Sequence, residues 1–462
     1  MACGMLAMQA AGIKVDRYVA FEYDEKTANE QKGRPFGFAA LTASHNFPMI
    51  EQCGNVFHAD FTEFAGFDFV IGGSPCTKWS IAQKNDRETE ASGIGWELFC
   101  QYARAIEEVK PTYFIYENNK SMHNNIRTAI TETFGFDPIC INSALVSAQN
   151  RQRLYWVGKR NPDGTYSKVH VEQPEDRGIL LRDVLDGVGA KALTEREMDY
   201  MVRDTKGKYS DRWAYLQKPA ESDKGLCITA NVSKGVPYNI CAEPVRIPEY
   251  GDRDKARPLG ARYAPNAGGW WHRMFSDNPN KQQVDMVADP VCMRYERSDE
   301  AKAARKKYEA GEIHHGFREL SELHPRTDGK TNNLSTVLKD NPICCPAEWP
   351  FAVPIEFDEE GKPTKAISCA DGKTYHVYEV KDGQITIKGK QYPIKLADGY
   401  YIIRKLTVSE CKRLQTVPEW YEFPVSDSQA YKMLGNGWTV LVISWLLQAT
   451  QAVCATKTDK EE

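Results

Sequence analysis

The chain has 462 residues, 42% of them hydrophobic and 26% charged, the make-up of a folded globular protein long enough for two or three domains. A net charge of -4 and a pI near 6.2 exclude a chain that is basic throughout, so any surface for nucleic acid has to be local. The 13 cysteines stand singly apart from the neighbours Cys344 and Cys345 and include no CxxC pair, which argues against a disulfide framework and a zinc module and for a reducing compartment.

In chain order, residues 17–22 (RYVAFE), 67–72 (FDFVIG), 112–117 (TYFIYE) and 153–158 (RLYWVG) read as buried strands. Between the second and third, Leu98, Tyr102, Ile106 and Val109 recur on one face of a helix over 97–109, before Pro111 punctuates. Strand–helix alternation predicts a mostly parallel sheet covered by helices, with ligands beyond the carboxyl ends of its strands. Residues 161–400 change character to short strands and many turns. Asp382-Gly383 between YHVYEV and QITIK is a strong hairpin signal. The tail returns to helices. Thr407 and Glu410 make a capping box, a second helix is expected to end at Leu434 before Gly435, and a third begins near Trp438. The start of the chain does not read as a signal peptide, and the apolar run 438–447 is shorter than the ~20 residues of a membrane span, so it is expected to be a buried helix.

Three motifs lie at strand ends. Gly72-Gly73-Ser74-Pro75-Cys76 places a thiol after a stiffened turn, although a lone cysteine is more often a small buried apolar residue. Tyr116-Glu117-Asn118-Asn119 offers a carboxylate that suits either a base edge or a helix cap. Gln149-Asn150-Arg151-Gln152-Arg153 aims alternate side chains to one side of an extended segment, toward a phosphate or base, or simply toward solvent. The loop after Cys76 carries the polar residues Gln83, Lys84 and Asn85, then Gly93 and Gly95 as possible hinges.

In order and spacing, these motifs resemble those of the cytosine-5 DNA methyltransferases: a Pro-Cys turn, a Gly-x-Gly helix start, a Glu-Asn pair about forty residues past the cysteine, then QxRxR. The tail matches through residues 404–415 (RKLTVSECKRLQ) and Gly435-Asn436-Gly437-Trp438. The resemblance covers roughly residues 1–160 and 400–453. The length and central insertion are of the bacterial or phage type, while the Ser-Pro-Cys turn and the opening residues look closest to the animal de novo branch. Two departures stand out. Asn119 occupies a position where valine is usual, and the chain opens inside the family's glycine-rich turn, so the family's first strand is expected to be missing.

The resemblance implies a Rossmann-like, S-adenosylmethionine-dependent α/β domain. Residues 1–160 would be its catalytic and cofactor-binding part and 401–453 the helices that complete it. Residues 161–400 would be a strand- and loop-rich target-recognition region, and 454–462 a charged tail. Cys76 matches the nucleophile that adds to carbon 6 of a flipped cytosine, Glu117 the carboxyl at ring nitrogen 3, and Arg151 with Arg153 the pair that supports the base and its loop. For S-adenosyl-L-methionine, Glu22 fits the ribose hydroxyls, Asp60 with Phe61 the adenine, Pro75 the pocket wall, and Asn436 with Trp438 the closure over the methionine end. No metal is implied. The partner is double-stranded DNA, a cognate restriction endonuclease without direct contact stays open as a second, and a cytoplasmic monomer is expected. A non-catalytic DNA-binding relative and an RNA cytosine methyltransferase are the competing readings.

Overall fold

The computed structural model describes residues 1–75, 78–80, 87–203, 210–220, 222–245, 291–297, 321–325, 343–344, 351–358, 362–368 and 371–458. The chain divides into two compact units, one of Met1–Leu185, Leu193–Ala242 and Arg404–Glu462, the other of Asp186–Ala192 and Glu243–Ile403. The first unit therefore takes in residues 161–185 and 193–242 as well as the N-terminal third and the C-terminal helices.

The strands lying wholly in the first unit are β1 (Val19–Ala20), β2 (Glu51–Gln52), β3 (Phe69–Gly72), β4 (Tyr113–Asn119), β5 (Ile139–Asn142), β6 (Gln152–Arg160) and β7 (Tyr166–Lys168). Its longer helices are α1 (Cys3–Ala10), α2 (Phe38–Asn46), α3 (Gly93–Val109), α4 (Asn124–Phe134), α5 (Glu195–Val202), α6 (Val408–Leu414), α7 (Asp427–Asn436) and α8 (Val440–Thr458). β1 and β2 form a short parallel pair, so RYVAFE yields only two strand residues. The central sheet runs β3-β4-β6-β5, with β7 on β6.

In that sheet β3 and β4 are parallel, but β6 is antiparallel to β4, β5 and β7. The mostly parallel sheet expected from the sequence is thus corrected at β6. Only residues 143–151 join β5 to β6, and a parallel pair needs a crossover of about a dozen residues or more. β6 instead doubles back and inserts between β4 and β5.

β4 is buried on both faces because its side chains alternate between two cores. Tyr113 and Ile115 join an aliphatic core with Met5 and Leu6 of α1 and Val442, Ile443 and Leu446 of α8. Phe114 and Tyr116 join an aromatic core with Phe99 of α3, Phe134 of α4 and Trp156 of β6. Side chains of this size contribute about 1.5–3 kcal/mol each on full burial, which fixes β4 and hence the position of its carboxyl end. The apolar run at the C-terminus is a core helix, and no helix of the described residues is long and apolar enough to cross a membrane.

Thr407 caps α6 and Glu410 completes the capping box. Glu410 also accepts from both terminal nitrogens of Arg404, at 2.7 and 2.9 Å, with both side chains fully buried. Where the chain leaves the first unit and where it returns, Leu406 N donates to Asn239 O at 2.7 Å.

The second unit is antiparallel. Phe351–Phe357, Pro363–Ser368, Thr374–Lys381, Gln384–Ile387 and Lys390–Pro393 follow one another as neighbours in a meander. Asp382 and Gly383 both have positive φ, 52° and 68°, the backbone that a two-residue hairpin of this hand requires. Val245, Ala366, Tyr375, Val377 and Ile402 form a small core.

Candidate active site

β3 ends at Gly72, and the chain turns through Gly73, Ser74 and Pro75 beside the end of β4. A Cβ on Gly73 would lie 2.5 Å from the Glu117 carbonyl oxygen, so only glycine lets the two backbones approach this closely. Ser74 is locked there. Its hydroxyl meets the Tyr116 hydroxyl at 2.6 Å, and Asn118 Nδ2 donates to the Ser74 carbonyl at 3.1 Å and to the Tyr116 hydroxyl at 3.2 Å. Burial pushes the Tyr116 hydroxyl far above its ordinary value despite these bonds, so it acts as a neutral hydroxyl. Cys76, Gln83, Lys84 and Asn85 lie outside the described residues.

The chain is anchored again beyond them. Trp79 is fully buried, and its indole donates to Glu88 at 2.8 Å. Arg87 reaches the Ser121 carbonyl at 2.6 Å. A Cβ on Gly95 would strike both Trp79 and Glu88 at 2.6 Å, so this glycine provides clearance for the anchor. Gly93, with φ of 79°, opens α3, four residues earlier than expected.

Glu117 is the point of convergence. Its side chain is 13% exposed and pairs through Oε1 with Arg153 Nε at 3.1 Å. Its Oε2 accepts from the Trp438 indole at 3.0 Å, across 321 residues of sequence. Arg151 turns away from this carboxylate. Buried to 4% exposure, it donates to the carbonyls of Ile228 and Gly437 at 2.8 Å each and to that of Gly435 at 3.4 Å. Arg153 reaches Glu117, while Arg151, just before the strand, braces the segment that carries Trp438.

Gln149 extends the brace. It bonds the Leu414 carbonyl and Gln415 Oε1, and accepts from Ile228 N at 3.2 Å. Gln415 in turn donates to the Leu434 carbonyl at 2.7 Å and accepts from Thr439 at 3.0 Å. Gln149 and Arg151 of QxRxR, Gln415 of RLQ and the Gly435 and Gly437 carbonyls of GNGW are thus one buried polar network. Each member is satisfied by another, which is what makes such a network rigid rather than costly.

α7 does not stop before Gly435, as the sequence suggested, but runs through it to Asn436. A Cβ on Gly435 would fall 2.1 Å from the Thr229 carbonyl carbon. This glycine serves close helix–backbone packing, not termination.

The family described as C-5 cytosine-specific DNA methylase matches residues 2–452. The chain belongs to that family. The orphan methyltransferase M.SPRI of Bacillus phage SPR is 30% identical over 446 residues, 88% of this chain and 88% of that protein. The type II methyltransferase M1.ScrFI of Lactococcus lactis subsp. cremoris is 30% identical over 189 residues, 38% of this chain and 47% of that protein. A crystal structure of a Spodoptera frugiperda DNMT2 variant aligns with 97% of this chain and 96% of its own, at 14% identity and a TM-score of 0.42. The protein is a Rossmann-like methyltransferase that moves a methyl group from S-adenosylmethionine to carbon 5 of cytosine in DNA.

The residues expected from the sequence to meet the methyltransferase's cofactor lie in different surroundings. Glu22 follows β1 with its side chain 46% exposed, an acceptor suited to a pair of hydroxyls. Asp60 is exposed and caps the turn at Phe61–Phe64 through Oδ1, which takes both the amide and the hydroxyl of Thr62. The Thr62 side-chain bond, then its amide, holds the Asp60 carboxyl below its ordinary value, so it stays an acceptor suited to an amino group. Pro75 and Asn436 are exposed at the turn after β3 and at the end of α7. Phe61 differs. Its ring is 3% exposed, edge-on to Phe21 at 5.1 Å and covered by Arg104 at 4.6 Å, so it is packed into the protein rather than open to solvent. The acceptors present fit the polar groups of S-adenosylmethionine.

Ser74, Tyr116 and Asn118 stand in the two strand-end motifs without a role of their own there, while Trp79, Glu88 and Gln415, which also pack around this candidate site, carry no individual reading in the sequence. For Gln415 the signal was present in the RLQ motif. The Trp79–Glu88 contact forms through tertiary packing alone.

Proposed function

We propose that Cys76 is the nucleophile, Glu117 and Arg153 the base-binding pair, and Arg151 the brace behind them. The observation that carries this is the meeting at Glu117 of a strand-end carboxylate, the QxRxR arginine and the C-terminal tryptophan, beside the turn leading to Cys76. The Cys76 thiolate adds to carbon 6 of cytosine, and the ring electrons move toward carbon 5 while Glu117 engages nitrogen 3 and the exocyclic amine. S-adenosylmethionine, when bound, supplies an electrophilic methyl group. Carbon 5 takes up the methyl, loses its proton, and the thiolate leaves as the ring double bond returns. Glu22, Asp60, Asn436 and the ring face of Trp438 would hold the cofactor, with Pro75 at the pocket wall and Phe61 supporting from below.

The substrate is double-stranded DNA, in which the target cytosine must leave the stack at a cost of a few kcal/mol. Residues 161–400 supply target recognition, chiefly through the strands of the second unit, whose size suits major-groove reading. The enzyme acts as a monomer in the cytoplasm of a bacterium or phage-infected host, where a restriction endonuclease of the same specificity would be its genetic partner without direct contact. Expression in a bacterial host free of cytosine methylation, followed by bisulfite sequencing, tests the assignment. Protected cytosines in one recurring context, lost in Cys76→Ser, are expected. Protection that survives Cys76→Ser overturns the assigned nucleophile, and methylation of transfer RNA in place of duplex DNA overturns the substrate.

A further inference from the structure

We propose that Trp438 is a positioning residue for Glu117, setting the plane of the carboxylate that meets the cytosine edge, an inference that rests on the role assigned to Glu117 above. An indole N–H can only donate, and an ionised carboxylate only accepts, through about four lone-pair sites. Arg153 Nε is ion-paired with Oε1 at 3.1 Å, and Trp438 donates to Oε2 at 3.0 Å. Lone pairs then remain on both oxygens, for the exocyclic amine of cytosine and for a proton shared with nitrogen 3 as charge develops in the ring. The terminal torsion of glutamate is broad and nearly free, so a carboxylate held by one donor turns about its bond while one held at both oxygens does not.

The indole has a fixed origin. Trp438 lies in the short link between α7 and α8. Before it, the Gly437 carbonyl accepts from Arg151 at 2.8 Å and from Gln415 at 3.3 Å. After it, the Thr439 hydroxyl is held by Ser143 at 2.8 Å and Gln415 at 3.0 Å. The brace built around Arg151 therefore acts on the base pocket through Trp438. Because its single N–H is given to Glu117, Trp438 has only its ring face to offer a cofactor.

The test separates the two roles with a reaction that needs no cofactor. Addition of the Cys76 thiolate to carbon 6 lets carbon 5 take a proton from water, give up its own hydrogen and expel the thiolate, so tritium at carbon 5 of cytosine in duplex DNA exchanges into solvent. Trp438→Phe is expected to slow this exchange, and kcat for methyl transfer, by about tenfold to a hundredfold, the effect of losing a hydrogen bond to a charged group. S-adenosylmethionine affinity measured by calorimetry should stay within about twofold, since the ring face is kept. Replacement of Trp438 by its benzothiophene isostere, which keeps the bicyclic shape and lacks the N–H, should behave alike and guards against a folding defect. Undiminished exchange with weakened cofactor binding overturns the proposal in favour of a purely cofactor-facing residue. Wild-type exchange that does not depend on Cys76 or Glu117 overturns the underlying assignment instead, and this inference with it.

Discussion

Gly435→Ala sets a small helix-propensity gain against a collision with backbone. The added Cβ would sit 2.1 Å from the Thr229 carbonyl carbon, 2.2 Å from its oxygen and 2.3 Å from Ala230 N. Carbon contacts are comfortable at about 3.5 Å, so α7 and the Thr229 segment must part by more than ~1 Å. Neither side can yield by a rotamer change, because every atom struck is backbone. Overpacking costs about 1–3 kcal/mol, and three simultaneous contacts place this near the upper end. Alanine gains at most ~1 kcal/mol over glycine within a helix. The collision wins by about 2 kcal/mol, near thirtyfold in the folding equilibrium. The same parting would pull the Gly435 and Gly437 carbonyls from Arg151 and shift Trp438, and a misplacement of ~1 Å at a reacting centre costs about a hundredfold in rate. Urea titration by tryptophan fluorescence and initial rates of methyl transfer on saturated enzyme give both numbers. A variant within about 0.5 kcal/mol of wild type and equally fast would refute the close-packing role of this glycine.

Glu410→Ala leaves Arg404 charged and fully buried without its partner, and should cost about 3–5 kcal/mol in urea titration, whereas Arg404→Met with Glu410→Leu should regain most of it. Equal losses in the single and double variants would count against the ion pair as the cause. Gly73→Ala drives a methyl into the Glu117 backbone carbonyl and should cut methyl transfer by about a hundredfold while also costing about 1–3 kcal/mol of stability; unchanged turnover would refute it. Burial alone would raise the Asp24 carboxyl, but the hydrogen bond and charge of Lys432, at 2.9 Å, hold it below its ordinary value. Its stabilisation is complete above the unfolded value of about 4 and is lost as pH falls through the lower folded value. The melting-temperature gap between wild type and Asp24→Asn should therefore be full near pH ~6 and close toward pH ~3, and a constant gap would show that Lys432 is not its source.

What could be read in the sequence was local. The strand ending in Gly72, the strand through Glu117 (which runs two residues further, to Asn119), the capping box at Thr407 and Glu410, and the Asp382-Gly383 hairpin each arise from a few adjacent residues. The antiparallel insertion of β6 was hidden because its strand pattern is the same in either direction; only the short link from β5 carried the information. The carboxylate, the QxRxR arginine and the C-terminal tryptophan were each legible as residues of interest, but not that the last two grip opposite oxygens of the first. That depends on backbone carbonyls at Ile228, Gly435 and Gly437, which no side-chain pattern announces. Gly435 was misread for a related reason, since a glycine needed for clearance looks the same in sequence as one that ends a helix.

The hydrogen bond between Leu406 and Asn239 has a consequence for how such a protein can change over time. The chain departs for the second unit and comes back at nearly the same spot, so whatever lies between is a closed excursion from the first unit's standpoint. The entropy of closing such an excursion rises only with the logarithm of its length, by about 0.6 kcal/mol per doubling. Segments of different size and sequence can then be exchanged at this junction while the first unit keeps its own packing.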